Sequence, residues 1–223
     1  MIEVAQQIND VRRQVGSRTI EAGEARVVVV SQTYPATVDD LWDACTNPER
    51  IPRWFSPVTG ELKLGGRYQV EGNAGGVVER CDPPKSFAIT WEFNGQTSWV
   101  EIRLTPEGDE QARFELEHIA LVTPEGNEFW ELYGPGAVGL GWDLAFLGLA
   151  LHYASGGEAV DPKEVEAWSM SDEGKRFIAQ ASEKWRDGNV EGGFATPEAA
   201  QAAADRTTAF YTGAEAPEAS PEG

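Results

Sequence analysis

The segment Gly134–Tyr153, GPGAVGLGWDLAFLGLALHY, constrains the fold of this chain more than any other stretch. It is apolar almost throughout, its one formal charge is Asp143, and it carries glycines at positions 134, 136, 139, 141 and 148. Each glycine costs a helix roughly 1 kcal/mol relative to alanine, so several in one helix indicate close approach to another element. A helix that is apolar on every side is either buried in protein or spans a membrane.

The length of this segment suits a membrane span, which needs about 20 apolar residues. However, Asp143 would lie near the middle of the bilayer at a cost of about 2.5–3.5 kcal/mol, and no Lys or Arg brackets the segment. We therefore predict a helix buried inside a globular domain. At helical spacing its small residues form one stripe, which we expect to let a β-sheet curl closely around the helix: Ala137, Gly141, Ala145 and Gly148.

The charge balance excludes several classes of partner. The chain has 18 Lys and Arg against 37 Asp and Glu, a net charge of −19. Nucleic acids and anionic membrane surfaces both require a basic surface, so neither is expected as a partner. The first residues lack a basic region followed by a hydrophobic run, which predicts a cytoplasmic protein without a secretory signal. The two cysteines, Cys45 and Cys81, are then expected as reduced thiols, and with two histidines in the chain we expect no metal site and no cofactor.

Between residues 67 and 121 the pattern is that of an antiparallel meander. Short runs of alternating residues are separated by turn signals such as Asn73-Ala74-Gly75-Gly76, Pro83-Pro84 and Asn94-Gly95. Alternation places one set of side chains on an inner, apolar face: Tyr68, Val70, Ile89, Trp91, Val100, Ile102, Leu104, Phe114, Leu116 and His118. The outer set is polar, so one face of the sheet is exposed to solvent, and the apolar face must be buried by another element. The long apolar helix is the element suited to cover it.

Helix start signals complete the layout. Thr37 is predicted to cap one short helix, Asn47-Pro48 to begin a second, and three further helices begin near Asp161, Ser171 and Thr196. We expect an α+β fold divided into four segments: an N-terminal helix and hairpin strand (1–23), the sheet with its gripped helix (24–155), a helical extension (156–212) and a disordered acidic tail (213–223).

The order of elements and four local motifs resemble the START-like (SRPBCC) superfamily of helix-grip proteins, in the branch related to the activator of the heat-shock protein 90 ATPase. The motifs are TYPATVDDLWDACTNPERIPRWF (33–55), GELKLGGRY (60–68), GNAGGVVERCDPPKSFAITWEF (72–93) and the GPG…GWDLAFLGLALHY helix. The resemblance covers roughly residues 24–155. It implies a curved antiparallel sheet around a long helix, two short helices after the first core strand, and an apolar cavity between sheet and helix. It supplies no catalytic motif that matches residue by residue.

The sequence offers many side chains for the walls of such a cavity. Apolar pockets with few polar groups are the usual sites for small molecules, although large aromatic side chains also simply fill cores. The predicted ligand-binding set is Trp42, Trp54, Phe55, Tyr68, Trp91, Val100, Ile102, Phe114, Leu116, His118, Phe129, Trp142 and Phe146.

Two ionisable residues are catalytic candidates. His118 is in phase with Phe114 and Leu116 and should face inward, where it acts as a general base or as a core histidine bonded to its neighbours. Asp143, on the buried helix, is either a pocket acid with a raised pKa or the partner of an arginine.

Three functions are consistent with these observations. The first is binding of an apolar or aromatic small molecule or lipid in the cavity. The second is a co-chaperone-like regulator of a chaperone ATPase, steered to its partner by the acidic surface. The third is a cyclase or dehydratase that uses His118 and Asp143 as base and acid. The C-terminal helices are further candidates for a homodimer interface or a lid over the cavity.

Overall fold

A computed structural model of the chain describes residues 3–214. Its eight strands form one antiparallel sheet in the order β1-β2-β8-β7-β6-β5-β4-β3. The strands are β1 (Arg12–Ile20), β2 (Gly23–Tyr34), β3 (Val58–Gly60), β4 (Arg67–Val70), β5 (Gly75–Asp82), β6 (Ser86–Phe93), β7 (Gln96–Pro106) and β8 (Ala112–Leu121). The described helices are α1 (Val4–Asp10), α2 (Val38–Thr46), a 3₁₀ turn (Ile51–Arg53), α3 (Pro124–Tyr133), α4 (Gly136–Ala154), α5 (Pro162–Ser169), α6 (Asp172–Glu191) and α7 (Pro197–Thr212).

The sheet confirms the predicted meander and its two faces. Neighbouring strands from β4 to β8 pair in sequence, and β8 continues onto β2 along its whole length. Along β8 the residues of the apolar phase are buried while the alternate acidic residues are half-exposed. The short strand β3 pairs with β4 and was not predicted, because three residues carry too little alternation to detect.

Local capping rules account for most helix starts. The side chains of Thr37, Asp161, Ser171 and Thr196 each accept a backbone N–H in the first turn of α2, α5, α6 and α7. The second short helix is only a 3₁₀ turn. Helix α3 was not predicted, although Thr123 caps it and Pro124 opens it.

The long helix α4 lies against the inner face of the sheet, as expected of a helix-grip fold. Its glycines, however, do not face the sheet. A Cβ on Gly139 would lie 2.2 Å from the Trp185 ring of α6, and a Cβ on Gly148 would lie 2.3 Å from the Trp54 carbonyl oxygen. In the predicted stripe, the expectation that small residues let the sheet curl around the helix is therefore wrong for the two glycines: Gly148 admits the Trp54 carbonyl, and a Cβ on Gly141 would lie nearest the Tyr211 hydroxyl of α7. Ala145 of the same stripe lines the space between the helix and the sheet. Gly139, which lies outside the stripe, admits α6.

Helix α4 is long and apolar enough to cross a membrane by length and composition alone. Its charge is neutralised inside the protein: Asp143 is fully buried, and the Arg13 guanidinium of β1 lies 2.8 Å from its carboxylate. The Trp185 indole of α6 donates to the same carboxylate at 2.7 Å. These contacts are those of a core helix in a folded domain.

The same contacts unite the segments separated in the sequence analysis. Strand β1 of segment 1–23 pairs with β2 from Ile20 to Arg12, and α6 of segment 156–212 inserts Trp185, 1% exposed, into the main core. Gly213, the first residue of the predicted acidic tail, ends α7 in a left-handed conformation. Residues 215–223 of that tail lie outside the described part of the chain.

Candidate functional site: an apolar cavity under the gripped helix

A cavity of about 130 Å³ lies between the inner face of the sheet, helix α4 and the segment that follows α2. Its walls carry no carboxylate, ammonium, guanidinium or imidazole among the described residues. The lining residues are Cys45, Thr46, Ile51, Trp54, Phe55, Val58, Leu62, Tyr68, Val70, Val78, Cys81, Phe87, Ile89, Trp91, Val100, Ile102, Phe114, Leu116, Trp142, Ala145 and Phe146.

Most of the residues predicted as walls lie at this cavity. They come from the 3₁₀ segment, from strands β4 and β6 to β8, and from α4: Trp54, Phe55, Tyr68, Trp91, Val100, Ile102, Phe114, Leu116, Trp142 and Phe146. The structure brings them together because alternate strand residues share the inner face, and because residues 142 and 146 lie one turn apart on α4.

Three predicted wall residues lie elsewhere. Trp42 of α2 packs edge-on against the lining residue Phe87, with ring centroids 5.8 Å apart, and does not itself line the cavity. Phe129 lies on the outer side of α3 with 52% of its surface exposed, because the unpredicted helix turns that ring away from the sheet. His118 is buried on the inner face but bonds to wall residues instead of lining the cavity.

Sequence reasoning missed several lining residues. Alternation places Ile89 and Val70 on the inner face, and both line the cavity, although neither belongs to the predicted ligand-binding set. Ile51 lies in the 3₁₀ turn, Val58 in the three-residue strand β3 and Leu62 in the loop after it, and all three segments are too short for periodicity to indicate a direction. Only the tertiary fold brings these segments over the open edge of the cavity.

The aromatic rings form two contact groups across the cavity. Trp142 packs against Trp91 with centroids 5.1 Å apart and lies nearly parallel to Phe55 at 6.5 Å. Phe114 stacks on Phe146 at 4.9 Å with an interplanar angle of 15°. Such pairs lie in the preferred distance range for aromatic contacts and add about 0.5–1.5 kcal/mol each beyond area burial.

Three side chains of the wall already donate their polar hydrogens to protein acceptors. Trp54 Nε1 donates to the Ala44 carbonyl at 2.9 Å, and Tyr68 Oη donates to the Thr90 carbonyl at 2.6 Å. Thr46 Oγ1 donates to a carbonyl of its own helix. A ligand that enters the cavity therefore meets mainly carbon surface, with these donors unavailable to it.

His118 connects two walls of the cavity through a directed chain of hydrogen bonds. Trp142 Nε1 can only donate, so His118 Nδ1 accepts its hydrogen at 3.1 Å. A neutral imidazole then carries its hydrogen on Nε2, which faces Ser98 Oγ at 2.9 Å. Ser98 Oγ in turn donates to the Trp91 carbonyl. Burial lowers the pKa of His118 to about 4, which keeps the ring neutral near pH 7.

The structure does not bring His118 and Asp143 together as an acid and a base. Consecutive residues point about 100° apart around a helix, so Asp143 faces Arg13 and Trp185 while Trp142 faces the cavity. Burial raises the pKa of Asp143, and the Arg13 guanidinium opposes that shift. Both carboxylate oxygens are engaged, which corresponds to the structural alternative considered for this residue.

The two thiols at the cavity differ in setting. Cys45 is buried, and burial raises its pKa to about 12, which leaves an unreactive thiol at neutral pH. Cys81 is exposed and also borders the outer face of the sheet. Across residues 3–214, no group of His, Cys, Asp and Glu has an arrangement able to hold a metal ion.

Comparison with known proteins places this site in a family. The family model described as Activator of Hsp90 ATPase homolog 1-like protein matches residues 35–150, just over half of the chain, and this range contains every residue that lines the cavity. The chain belongs to this family. The match covers α2, the 3₁₀ turn, strands β3 to β8, α3 and nearly all of α4, and ends before α5 to α7. A comparison with functionally curated proteins gave no match.

Solved structures agree with the assignment to the Activator of Hsp90 ATPase homolog 1-like family. The crystal structure of CalU16 from Micromonospora echinospora is 37% identical over 77% of this chain and 98% of its own, with a TM-score of 0.57. The solution structure of CalU16 is 35% identical over 82% of this chain and 96% of its own, with a TM-score of 0.63. DynU16, a protein of the dynemicin biosynthetic locus, shares the fold at 22% identity and a TM-score of 0.51, over 59% of this chain and 48% of its own.

Proposed function

We propose that this protein binds a small, neutral, apolar or aromatic molecule in the cavity beneath α4. The proposal rests on the composition of the cavity wall. It combines the rings of Trp54, Phe55, Trp91, Trp142 and Phe146 with aliphatic side chains and no charged group. Burying a charged ligand group there without a partner would be strongly unfavourable, whereas apolar surface gains roughly 25 cal/mol per Å² buried.

The volume limits the ligand. A cavity of about 150 Å³ made in another protein by removing a leucine side chain binds benzene, so 130 Å³ accommodates about one aromatic ring. Sites for drug-sized molecules span roughly 300–1,000 Å³. A polycyclic ligand or a lipid chain therefore requires the wall to move, and the irregular segment that carries Trp54 and Phe55 is the wall least supported by the sheet.

The test is a melting-temperature and tryptophan-fluorescence titration, since three tryptophans line the cavity. The probes are toluene and ethylbenzene, with benzoate as the charged counterpart of toluene, and naphthalene and dodecanol as larger probes. A ligand at 100 times its Kd stabilises the folded state by about 2.7 kcal/mol. We expect toluene and ethylbenzene to raise Tm and benzoate to leave it unchanged. A flat response to all five probes would refute the proposal.

Two matched substitutions locate the binding. Ala145 lines the cavity on α4, and Ala145→Leu fills it, so toluene should no longer raise Tm. Ala154 ends the same helix at an exposed position, and Ala154→Leu makes the same chemical change away from the cavity. Equal toluene responses in both variants would place the ligand outside the cavity.

The family name supports a second candidate, a regulator of a chaperone ATPase of the Hsp90 type. The net charge of −19 would favour a basic docking surface on such a partner. The test is the ATP turnover of a purified Hsp90 with and without this protein at low and physiological salt. Unchanged turnover together with no co-elution would exclude this function. A cytoplasmic location accords with both candidates and remains a prediction.

A further inference from the structure

Helices α3 and α7 together expose an apolar surface that the cavity does not use. Phe129 is 52% exposed, Leu132 44% and Phe210 71%, and Tyr133 lies half-buried between them. We call these four residues the α3–α7 patch. The Phe129 and Tyr133 rings are 5.1 Å apart, and the Tyr133 and Phe210 rings are 6.1 Å apart, so the patch is continuous across the two helices.

The patch is held in place from beneath. Arg206 Nε donates to the Leu132 carbonyl at 2.7 Å, and Thr207 Oγ1 donates to the Tyr133 carbonyl at 2.8 Å. These bonds join the C-terminal end of α3 to α7, which satisfies carbonyls that a helix end leaves unpaired. Phe210 follows one turn after Arg206, so its ring is presented from a fixed helix and not from a loose terminus.

Contiguous exposed apolar surface with a polar rim is typical of sites for partner proteins or membranes. The α3 side of the rim is acidic, while α7 adds the guanidinium of Arg206. Strand β2 places Arg26 nearby, where burial lowers the pKa of Arg26 and the Glu131 carboxylate opposes that shift. Helix α3 carries Glu125, Glu128 and Glu131, all exposed, and no Lys or Arg. In the described chain none of these three carboxylates lies within salt-bridge distance of a basic side chain.

We propose that the α3–α7 patch docks a basic amphipathic helix of a partner protein. An apolar stripe on such a helix would cover Phe129 and Phe210, while its Lys or Arg residues would meet Glu125 and Glu128. This follows the helix-in-groove mode of recognition, in which apolar anchors supply affinity and rim charges supply orientation and rate. Helix α3 lies within residues 35–150 and helix α7 lies beyond them, so the surface joins the family's shared region to a C-terminal helix outside it.

Charge argues against a second copy as the occupant. A symmetric dimer through this patch would place the same surface of both subunits together and would bring the unpaired glutamates of both α3 helices into one interface. Juxtaposed like charges oppose association. The same acidity argues against an anionic lipid surface.

The test uses two synthetic peptides of roughly 18 residues, long enough to form a helix, labelled for fluorescence anisotropy. One has Leu at helical spacing and Lys elsewhere, and the other replaces every Lys by Glu. The full-length protein should bind the Lys peptide and not the Glu peptide. Phe210→Ser should weaken binding about tenfold or more, as expected for an aromatic anchor. Phe93→Ser, at an exposed phenylalanine on β6, is the matched control and should bind like the parent.

A second pair of variants tests how much the charges of the α3 glutamates contribute to peptide binding. Replacing Glu125, Glu128 and Glu131 by Gln should weaken binding several-fold at low salt, and the difference should shrink at high salt. Replacing the exposed Glu164, Glu166 and Glu183 by Gln removes the same charge elsewhere and should have little effect. Circular dichroism and Tm of all variants establish that they are folded.

Four outcomes would overturn the proposal. Equal binding by Phe210→Ser and Phe93→Ser would show that the peptide lies elsewhere. Equal binding of the Lys and Glu peptides would show that the partner helix does not need basic side chains. A dimer, measured by light scattering, that Phe210→Ser converts to a monomer would make a second copy the occupant. Binding to phosphatidylcholine vesicles that depends on Phe210 would make it a lipid surface. None of these results depends on whether the cavity binds a ligand.

Discussion

Trp142 Nε1 donates its hydrogen to His118 Nδ1 across 3.1 Å, and this bond joins the gripped helix to the middle of the sheet. Trp142 is a wall of the cavity, and through Ser98 the same histidine also reaches the backbone of Trp91, another wall. His118 is thus a positioning residue for two cavity rings. This arrangement requires a neutral imidazole, because a protonated ring cannot accept the Trp142 hydrogen.

The first prediction is acid lability through His118. Its pKa is about 4 in the folded protein and about 6.5 when unfolded, so the unfolded state binds more protons between these values. Stability therefore falls as the pH falls from 6.5 to 4, and at pH 5 the loss relative to pH 7 is about 2 kcal/mol. Urea unfolding of the parent and of His118→Gln across this range measures it. In His118→Gln the free energy of unfolding should lack this loss between pH 6.5 and 4. An identical dependence of the free energy of unfolding on pH in both proteins would contradict the prediction.

The second prediction compares the effects on stability of alanine substitutions at two glycines of α4. A Cβ on Gly139 would lie 2.2 Å from the Trp185 ring, while a Cβ on Gly141 would lie 3.4 Å from the Tyr211 hydroxyl. Gly141→Ala should stabilise by up to about 1 kcal/mol through helix propensity. Gly139→Ala should instead destabilise by about 1–3 kcal/mol, since it overpacks a fully buried ring. Denaturant midpoints measure both. Similar effects from the two substitutions would show that α6 does not pack as described.

Much of the sheet and its partner helix could be predicted from the chain, because strand alternation and a nineteen-residue apolar helix are local signals. The inner-face residues Val100, Ile102, Phe114 and Leu116 follow directly from alternation on β7 and β8. The cap of α2 at Thr37 follows from its side-chain chemistry.

The remaining features depend on tertiary contacts that no local pattern indicates. The glycines of α4 signalled close approach, but whether the sheet, α6 or Trp54 approaches is decided by the packing of distant segments. Phe129 looked like a wall because its ring is large, yet its direction depends on a helix whose sequence, PEGNEFWELY, has no strong apolar period. The partner of Asp143 is 130 residues away in β1, beyond any sequence spacing argument.

The third prediction concerns the buried pair of Arg13 and Asp143, whose side chains are 4% and 0% exposed. Removing one partner leaves an uncompensated buried charge, so Arg13→Met or Asp143→Leu alone should each destabilise by about 3–5 kcal/mol. The double variant should lose much less than the sum, since neither charge remains. Urea unfolding of all four proteins completes the double-mutant cycle. Additive losses would mean that the two side chains do not interact.

The fourth prediction concerns the wall that must move to admit a larger ligand. Gly148 lets the Trp54 carbonyl approach α4 so closely that a Cβ there would lie 2.3 Å from its oxygen. Gly148→Ala should therefore push the Trp54–Phe55 segment outward and expose its rings to water. Acrylamide quenching of tryptophan emission should rise, and the response to toluene should weaken while that to naphthalene strengthens.

Gly141→Ala is the control for Gly148→Ala, because it makes the same change on the same helix with ordinary contact distances. Acrylamide quenching of the eight tryptophans does not require a bound ligand, and Trp54 is the tryptophan that Gly148→Ala displaces directly, whereas the ligand responses also depend on the proposed binding function. If quenching increases but no probe raises Tm, the Trp54–Phe55 segment has been displaced and the proposed ligand binding is refuted. Unchanged quenching in Gly148→Ala would show that the segment after the 3₁₀ turn adapts without opening, and that entry to the cavity lies elsewhere.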